Sequence, residues 1–457
     1  MKYFVYSLIA LLQIGFLCNA AQVGFYKVGY VVNIPNNSSS YYSVALQPDG
    51  KIVAVGGTDD NNGLIARFNP DGKLDESFNA AGTPGYIDNL PDDSSIYRSV
   101  TLDSQGRIIL VGQTDLNNND SNGIIVRLKS DGTLDDTFNN TGFINTEEDY
   151  FSFSYYSVAV DRQDKIIVVG VAELMNEGYN GFIARFNTDG SLDTTTFNTG
   201  SVNGGPGYIN ADGVINSFGY YAVAINSQGS IIVVGETDLD LVGNNSNGII
   251  ARFSSSGILD TTTFNTGSVN GGPGYINIRG ATNSRAYFAV AINAQEKIIA
   301  AGITNDTNGV IVRFNPDGSL DQTFNNGAGF ITNVPNNSSI YRSVALQSDG
   351  KIVAVGETDD TNGLIARFNP DGSLDQTFNN GAGFITNVPN TSEQYYSVAL
   401  QPDGKIVAVG GAELNGGVDG LIARFLSKGV LDAESNWNLQ NFRESNNINN
   451  VSIALLG

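Results

Sequence analysis

Seven near-copies of one unit of about sixty residues run head to tail along this chain. Each opens on a Ser/Ala-Val-Ala-like triplet, at Val44, Val100, Val158, Val223, Val290, Val344 and Val398, with steps of 56, 58, 65, 67, 54 and 54 residues. Two stretches are verbatim: Asn315 to Asn336 recurs as Asn369 to Asn390, and Leu192 to Asn210 recurs as Leu259 to Asn277. Near-identical units must bury the same face against the same neighbour. The fold is therefore a stack or ring of one module.

The module reads as strands and tight turns. In the first copy, residues 43–47 form a short strand, Pro48-Asp49-Gly50 a turn, and residues 51–56 a second strand. A polar loop at 58–62 leads to a third strand at 63–69, a second Pro-Asp-Gly at 70–72, and a fourth extended piece from Lys73. In each triplet Pro presets the first turn angle, Asp caps the turn, and Gly takes the left-handed position. The second strand is an unbroken apolar run, as in Ile52-Val53-Ala54-Val55 and Ile108-Ile109-Leu110-Val111. Such a run needs cover on both faces, which a blade between two other blades receives. A period near sixty fits four antiparallel strands with their loops. The expected fold is an all-β, seven-bladed β-propeller of four-stranded antiparallel blades. Its repeats start near 43, 99, 157, 222, 289, 343 and 397. Six units end in a segment such as Gly329-Phe330-Ile331-Thr332-Asn333-Val334, and the seventh lacks it. The segment from Gly29 to Ser39 matches 329–339, so the N-terminal strand is expected to complete the last blade and close the ring. Domain limits follow at 21–436 for the propeller and 437–457 for a tail.

The unit SVALQPDGKIVAVGGTDDNNGLIARFNPDGKLDESFN, with its paired DGKI and ARFNPDG-LD motifs, resembles the delta-60 repeat family, propellers of the DUF5122 type. The resemblance runs from about Tyr26 to Asp432. It implies the propeller fold and brings no catalytic motif with it.

Residues 1–20 read as a signal peptide, with Lys2 ahead of an apolar run from Tyr3 to Leu17 and cleavage after Ala20. A lipoprotein anchor on Cys18 is the rival, opposed by the bulk of Leu17. The expected location is exported: extracellular, periplasmic or at the cell surface. Cleavage removes the only cysteine and leaves 23 of the 24 basic residues against 46 acidic ones. Such a chain repels phosphate backbones, so nucleic acid is a poor partner, and no later segment is apolar enough for a membrane span. A protein or glycan ligand is the expected partner.

The most regular charged feature is an Arg followed eight residues later by an Asp. The pairs are Arg67/Asp75, Arg127/Asp135, Arg185/Asp193, Arg252/Asp260, Arg313/Asp321, Arg367/Asp375 and Arg424/Asp432. A hairpin centred on Asp71 sets residue 67 against residue 75, with Phe68 meeting Leu74. The expectation is seven structural ion pairs, the alternative a ring of anion-binding arginines. The aromatic after each pair (Phe78, Phe138, Phe197, Phe264, Phe324, Phe378) is expected to fill the groove between blades, with Trp437 in that role for the seventh.

Function is sought where the copies differ. The Pro-Asp-Gly turns share one face of the disc, and the loops between second and third strands, irregular in length, share the other. That face is expected to carry Asp59, Asp60, Asp115, Glu173, Glu236, Asp238, Asp240, Asp306, Asp359, Asp360 and Glu413. Clustered carboxylates suit Ca²⁺, although no loop carries a full calcium motif. With no histidine in the chain and no thiol after cleavage, His-based triads and cysteine nucleophiles are excluded. The expected function is a non-catalytic binding scaffold working through the acidic loop face. A carboxylate-dependent, glycosidase-like hydrolase and a structural surface module are the alternatives.

Overall fold

A computed structural model of the chain describes residues 30–32, 39–88, 90, 95–114, 121–146, 151–174, 178–200, 204–211, 217–237, 246–267, 271–277, 282–332, 334, 339–358, 362–386, 393–414 and 417–432. The signal peptide, Trp437 and the tail lie outside these residues.

Alternation and turn chemistry build seven antiparallel sheets arranged as a ring. In the first blade the strands are Ser39–Leu46, Ile52–Thr58, Gly63–Phe68 and Tyr86–Ile87. The first strands of the other blades are Ser95–Leu102, Phe151–Val160, Ser217–Ile225, Ser284–Ile292, Ser339–Leu346 and Glu393–Leu400. Each first strand touches the first strands of both neighbouring blades, the seventh touching the first, so these strands surround the axis. Seven apolar clusters make up the core, each lying between two adjacent blades. Second and third strands of the first blade are buried throughout except at Thr58, which accounts for their continuous apolarity.

The turns follow the chemistry of their residues. Gly50 and Gly72 sit at φ 84° and 88°, and the amide of Gly50 donates to the carbonyl of Gln47 at 2.9 Å. Two expectations are corrected. The fourth strand does not begin at Lys73: Leu74 makes a single bridge to Phe68, and the strand proper starts at Tyr86. The Asp75 carboxylate accepts the Ser77 amide at 3.1 Å and the Asp75 carbonyl accepts the Phe78 amide at 2.9 Å, which turns the chain away. The third and fourth blades have five strands, not four. There the Gly-Gly-Pro-Gly stretch folds back, so Gly204–Gly205 pairs with Tyr208–Asn210 and Gly271–Gly272 with Tyr275–Asn277.

Between the seventh and first blades the seam is packed like the others. Tyr41, Val44 and Ile52 meet Val407, Val409 and Ile422 there, and the guanidinium of Arg424 donates to the carbonyl of Pro70. Tyr30–Val32 lies antiparallel to the last strand, Gly417–Phe425, with Tyr30 opposite Ala423 and Val32 opposite Leu421.

Candidate functional site

On the turn face the arginine and aspartate of each hairpin meet. Nε of Arg67, Arg127, Arg313 and Arg367 donates to its aspartate at 2.7, 2.8, 2.6 and 2.7 Å. Arg185, Arg252 and Arg424 approach Asp193, Asp260 and Asp432 to 2.8, 2.7 and 2.8 Å through a terminal nitrogen. Each arginine also donates to a turn carbonyl of the next blade: Ser130, Thr188, Ser255, Pro316, Pro370, Ser427 and, across the seam, Pro70. Beneath each guanidinium of the first six blades lies the face of the following Phe, 4.3–4.7 Å away. These charges are spent on holding blade to blade.

A second cation reaches the aspartate in six blades, from the turn between first and second strands. Lys51, Lys165, Lys297, Lys351 and Lys405 stand 2.9, 2.6, 2.7, 2.9 and 3.4 Å away, and Arg107 stands 3.4 Å from Asp135. The fourth blade has Ser230 at this place, and Arg252 there grips Asp260 through both Nε and a terminal nitrogen. This third member of the cluster was missed by spacing, because it comes from a different turn.

The axis is where the blades diverge. In the first strand a β-bulge follows a buried Tyr: Tyr41 faces Gly56, and the next register pair is Ser43 with Val55. The skipped residue turns inward, and its equivalents around the ring are Tyr42, Arg98, Tyr156, Tyr221, Phe288, Arg342 and Tyr396. All seven are half-buried. Tyr396 stands 5.3 Å from Tyr42, Tyr156 5.5 Å from Tyr221, and Tyr221 5.6 Å from Phe288. The guanidinium of Arg98 lies over Tyr42 at 5.4 Å and over Tyr156 at 5.7 Å, and that of Arg342 over Phe288 at 5.1 Å. An aromatic and cationic collar therefore surrounds the axis.

Polar groups stand behind the collar on the second strands, one place after the bulge-facing glycine. Glu357 accepts from Arg342 at 2.7 Å, Gln113 accepts from Arg98 at 3.4 Å, and Glu236 accepts from the Tyr221 hydroxyl. Burial first, and then the charges of Glu357 and Tyr42, push the Tyr396 hydroxyl up to about 12. Burial and the Glu236 carboxylate raise Tyr221 in the same direction. The collar was not foreseen from the sequence, although one signal was present. The residue after the invariant Tyr alternates among Tyr, Arg and Phe, and the one after it is always Ser or Ala.

Of the acids expected on the loop face, six lie among the described residues. Asp59 and Asp60 are exposed in the first blade's loop, Glu173 in the third blade and Glu413 in the seventh. Asp306 is exposed and accepts from Asn283 at 2.8 Å. The Glu236 side chain accepts from the Tyr221 hydroxyl of the collar. Asp115, Asp238, Asp240, Asp359 and Asp360 lie outside the described residues. Among the described residues no group of three acidic side chains is placed to hold a metal ion, and no helix is long and apolar enough to cross a membrane.

Residues 47–78, 104–138, 164–195, 297–324, 347–378 and 401–434 match the family described as domain of unknown function (DUF5122) beta-propeller. These are DUF5122 propeller repeats. In the first blade the DUF5122 match runs from the first turn through the second and third strands and the Arg–Asp cluster to Phe78, and it leaves out the collar residue Tyr42. The fourth blade, the one with Ser230, lies outside the DUF5122 matches. None of the curated proteins matches the chain. Among solved structures it is similar to an inactive virginiamycin B lyase from Staphylococcus aureus with quinupristin, at 13% identity over 87% of this chain and 99% of that one, TM-score 0.49. It is also similar to polysaccharide lyase Uly1 (9%, 86% and 91%, 0.46) and to a PQQ-bound aldose sugar dehydrogenase from Streptomyces coelicolor (11%, 86% and 96%, 0.41). At such identities nothing about chemistry transfers.

Proposed function

We propose that this DUF5122 propeller is an exported, non-catalytic binding scaffold that takes a protein or glycan partner on its loop face, around the mouth of the axial channel. The observation that carries the reading is the split between constant and variable parts. Every blade spends its recurring Arg–Asp charges on a neighbour, while the collar residues and the loop sequences differ from copy to copy. Half-buried tyrosines with arginine and carboxylate beside them can stack on a ring and bond its polar edge, as binding surfaces require. Replacing residues 236–247 by the short 357–362 loop tests it with the mature chain as bait. The variant should fold and lose partner capture, and undiminished capture would move the site elsewhere.

A second reading, carboxylate-dependent hydrolysis, draws on Glu236 and Glu357, which both stand behind the collar. Turnover of a polysaccharide panel, abolished in the Glu236→Gln chain, would favour it over the scaffold.

A further inference from the structure

Two blades place an arginine in the collar, and they differ in one charge. In the sixth blade Arg342 is neutralised: Glu357, on the adjacent strand and buried, accepts from it at 2.7 Å. In the second blade the same strand position holds Gln113, whose side-chain oxygen accepts from Arg98 at 3.4 Å and from Ser154 at 3.2 Å. Backbone register is the same in both, with Ile340 opposite Glu357 and Ile96 opposite Gln113. Arg98 has no carboxylate partner among the described residues, and its guanidinium is held between the faces of Tyr42 and Tyr156. Its side chain is half-buried.

A guanidinium presents a planar fork that matches a carboxylate. Ring faces on both sides fix its plane in advance and reduce the ordering cost of binding. We infer that Arg98 is an anion-binding point of the channel, taking the carboxylate of a ligand in the role that Glu357 performs for Arg342. The inference deepens the binding-scaffold reading and rests on it, by giving the ligand a chemical class: a ring compound bearing one carboxylate. The arginines of the turn face are not alternatives, since each already has its aspartate.

Titration calorimetry of the mature chain with sodium glucuronate, glucose and sodium sulfate at low ionic strength tests this. Glucuronate should bind at one site per chain, and glucose and sulfate at least about ten-fold more weakly. Gln113→Glu copies the sixth blade's pair, so it should melt like the parent and weaken glucuronate about ten-fold or more. Glu357→Gln should do the converse and create a second glucuronate site. Equal affinity in the parent and Gln113→Glu, equal binding of glucose or sulfate, or one unchanged site in Glu357→Gln would each overturn the assignment. Loss of the small-ligand signal with loop-dependent partner capture intact would sink this inference alone. Loss of loop dependence with glucuronate still bound would sink only the loop-face reading.

Discussion

Each turn-face aspartate is a carboxylate with more donors than it needs. Burial by itself raises the Asp75 carboxyl, but the Ser77 hydroxyl, Lys51, Arg67 and the Ser77 amide outweigh it and hold it at about 2. At Asp260, burial is opposed by the Thr263 hydroxyl and amide and by Arg252, with the same result of about 2. Asp193, Asp321 and Asp375 move in the same direction. A carboxyl lowered in the folded state contributes stability above its unfolded value of about 3.9, and that stability is lost as pH falls through the folded value. No histidine titrates between. Melting temperature should therefore hold from neutrality to about pH 4 and fall steeply between about 4 and 2. Calorimetric scans across this range check it, and a collapse complete by pH 5 would contradict it. The Arg67–Asp75 pair was legible in the chain because a short hairpin links its members. Lys51 was not, since only the folded blade brings that turn beside Asp75. The Arg98 and Arg342 difference was illegible for a similar reason: it depends on which residue of the next strand falls beside the bulge.

Among the strands, the bulge and its facing glycine form one device. A Cβ at Gly56 would lie 1.8 Å from the Ser40 carbonyl oxygen, and at Gly112 it would lie 1.9 Å from that of Ile96. The same close approach recurs at Gly170, Gly235, Gly302, Gly356 and Gly410. The bulge swings this carbonyl inward while it aims the skipped side chain at the axis, so the glycine is a requirement of the collar. Gly112→Ala should cost about 3 kcal/mol, because a backbone oxygen cannot yield as a side chain does. Gly106→Ala places its methyl in open space and meets only the left-handed backbone at φ 73°, so about 1 kcal/mol is expected there. Urea unfolding of the two variants gives both values, and equal losses would refute the distinction.

For the whole molecule, the question is how a ring of like units keeps its ends together. The seam between seventh and first blades carries the same arginine-to-carbonyl bond and the same apolar cluster as the rest. We propose that the N-terminal strand adds a latch by filling the fourth place of the last blade, where Tyr30–Val32 runs beside 421–423. Deleting residues 26–34 leaves the seam's side-chain contacts and removes the latch, so the melting temperature should drop by several degrees without loss of the fold. A truncated chain that melts like the parent would show the seam suffices. The repeat, its strand content and the number of blades were written in the order of residues, because period and apolar pattern are local properties that identical units repeat seven times. Which charges are spent on neighbouring blades, and which collar arginine meets a glutamate, only the ring decided. Those outcomes depend on distances between strands far apart along the chain, and closure sets such distances.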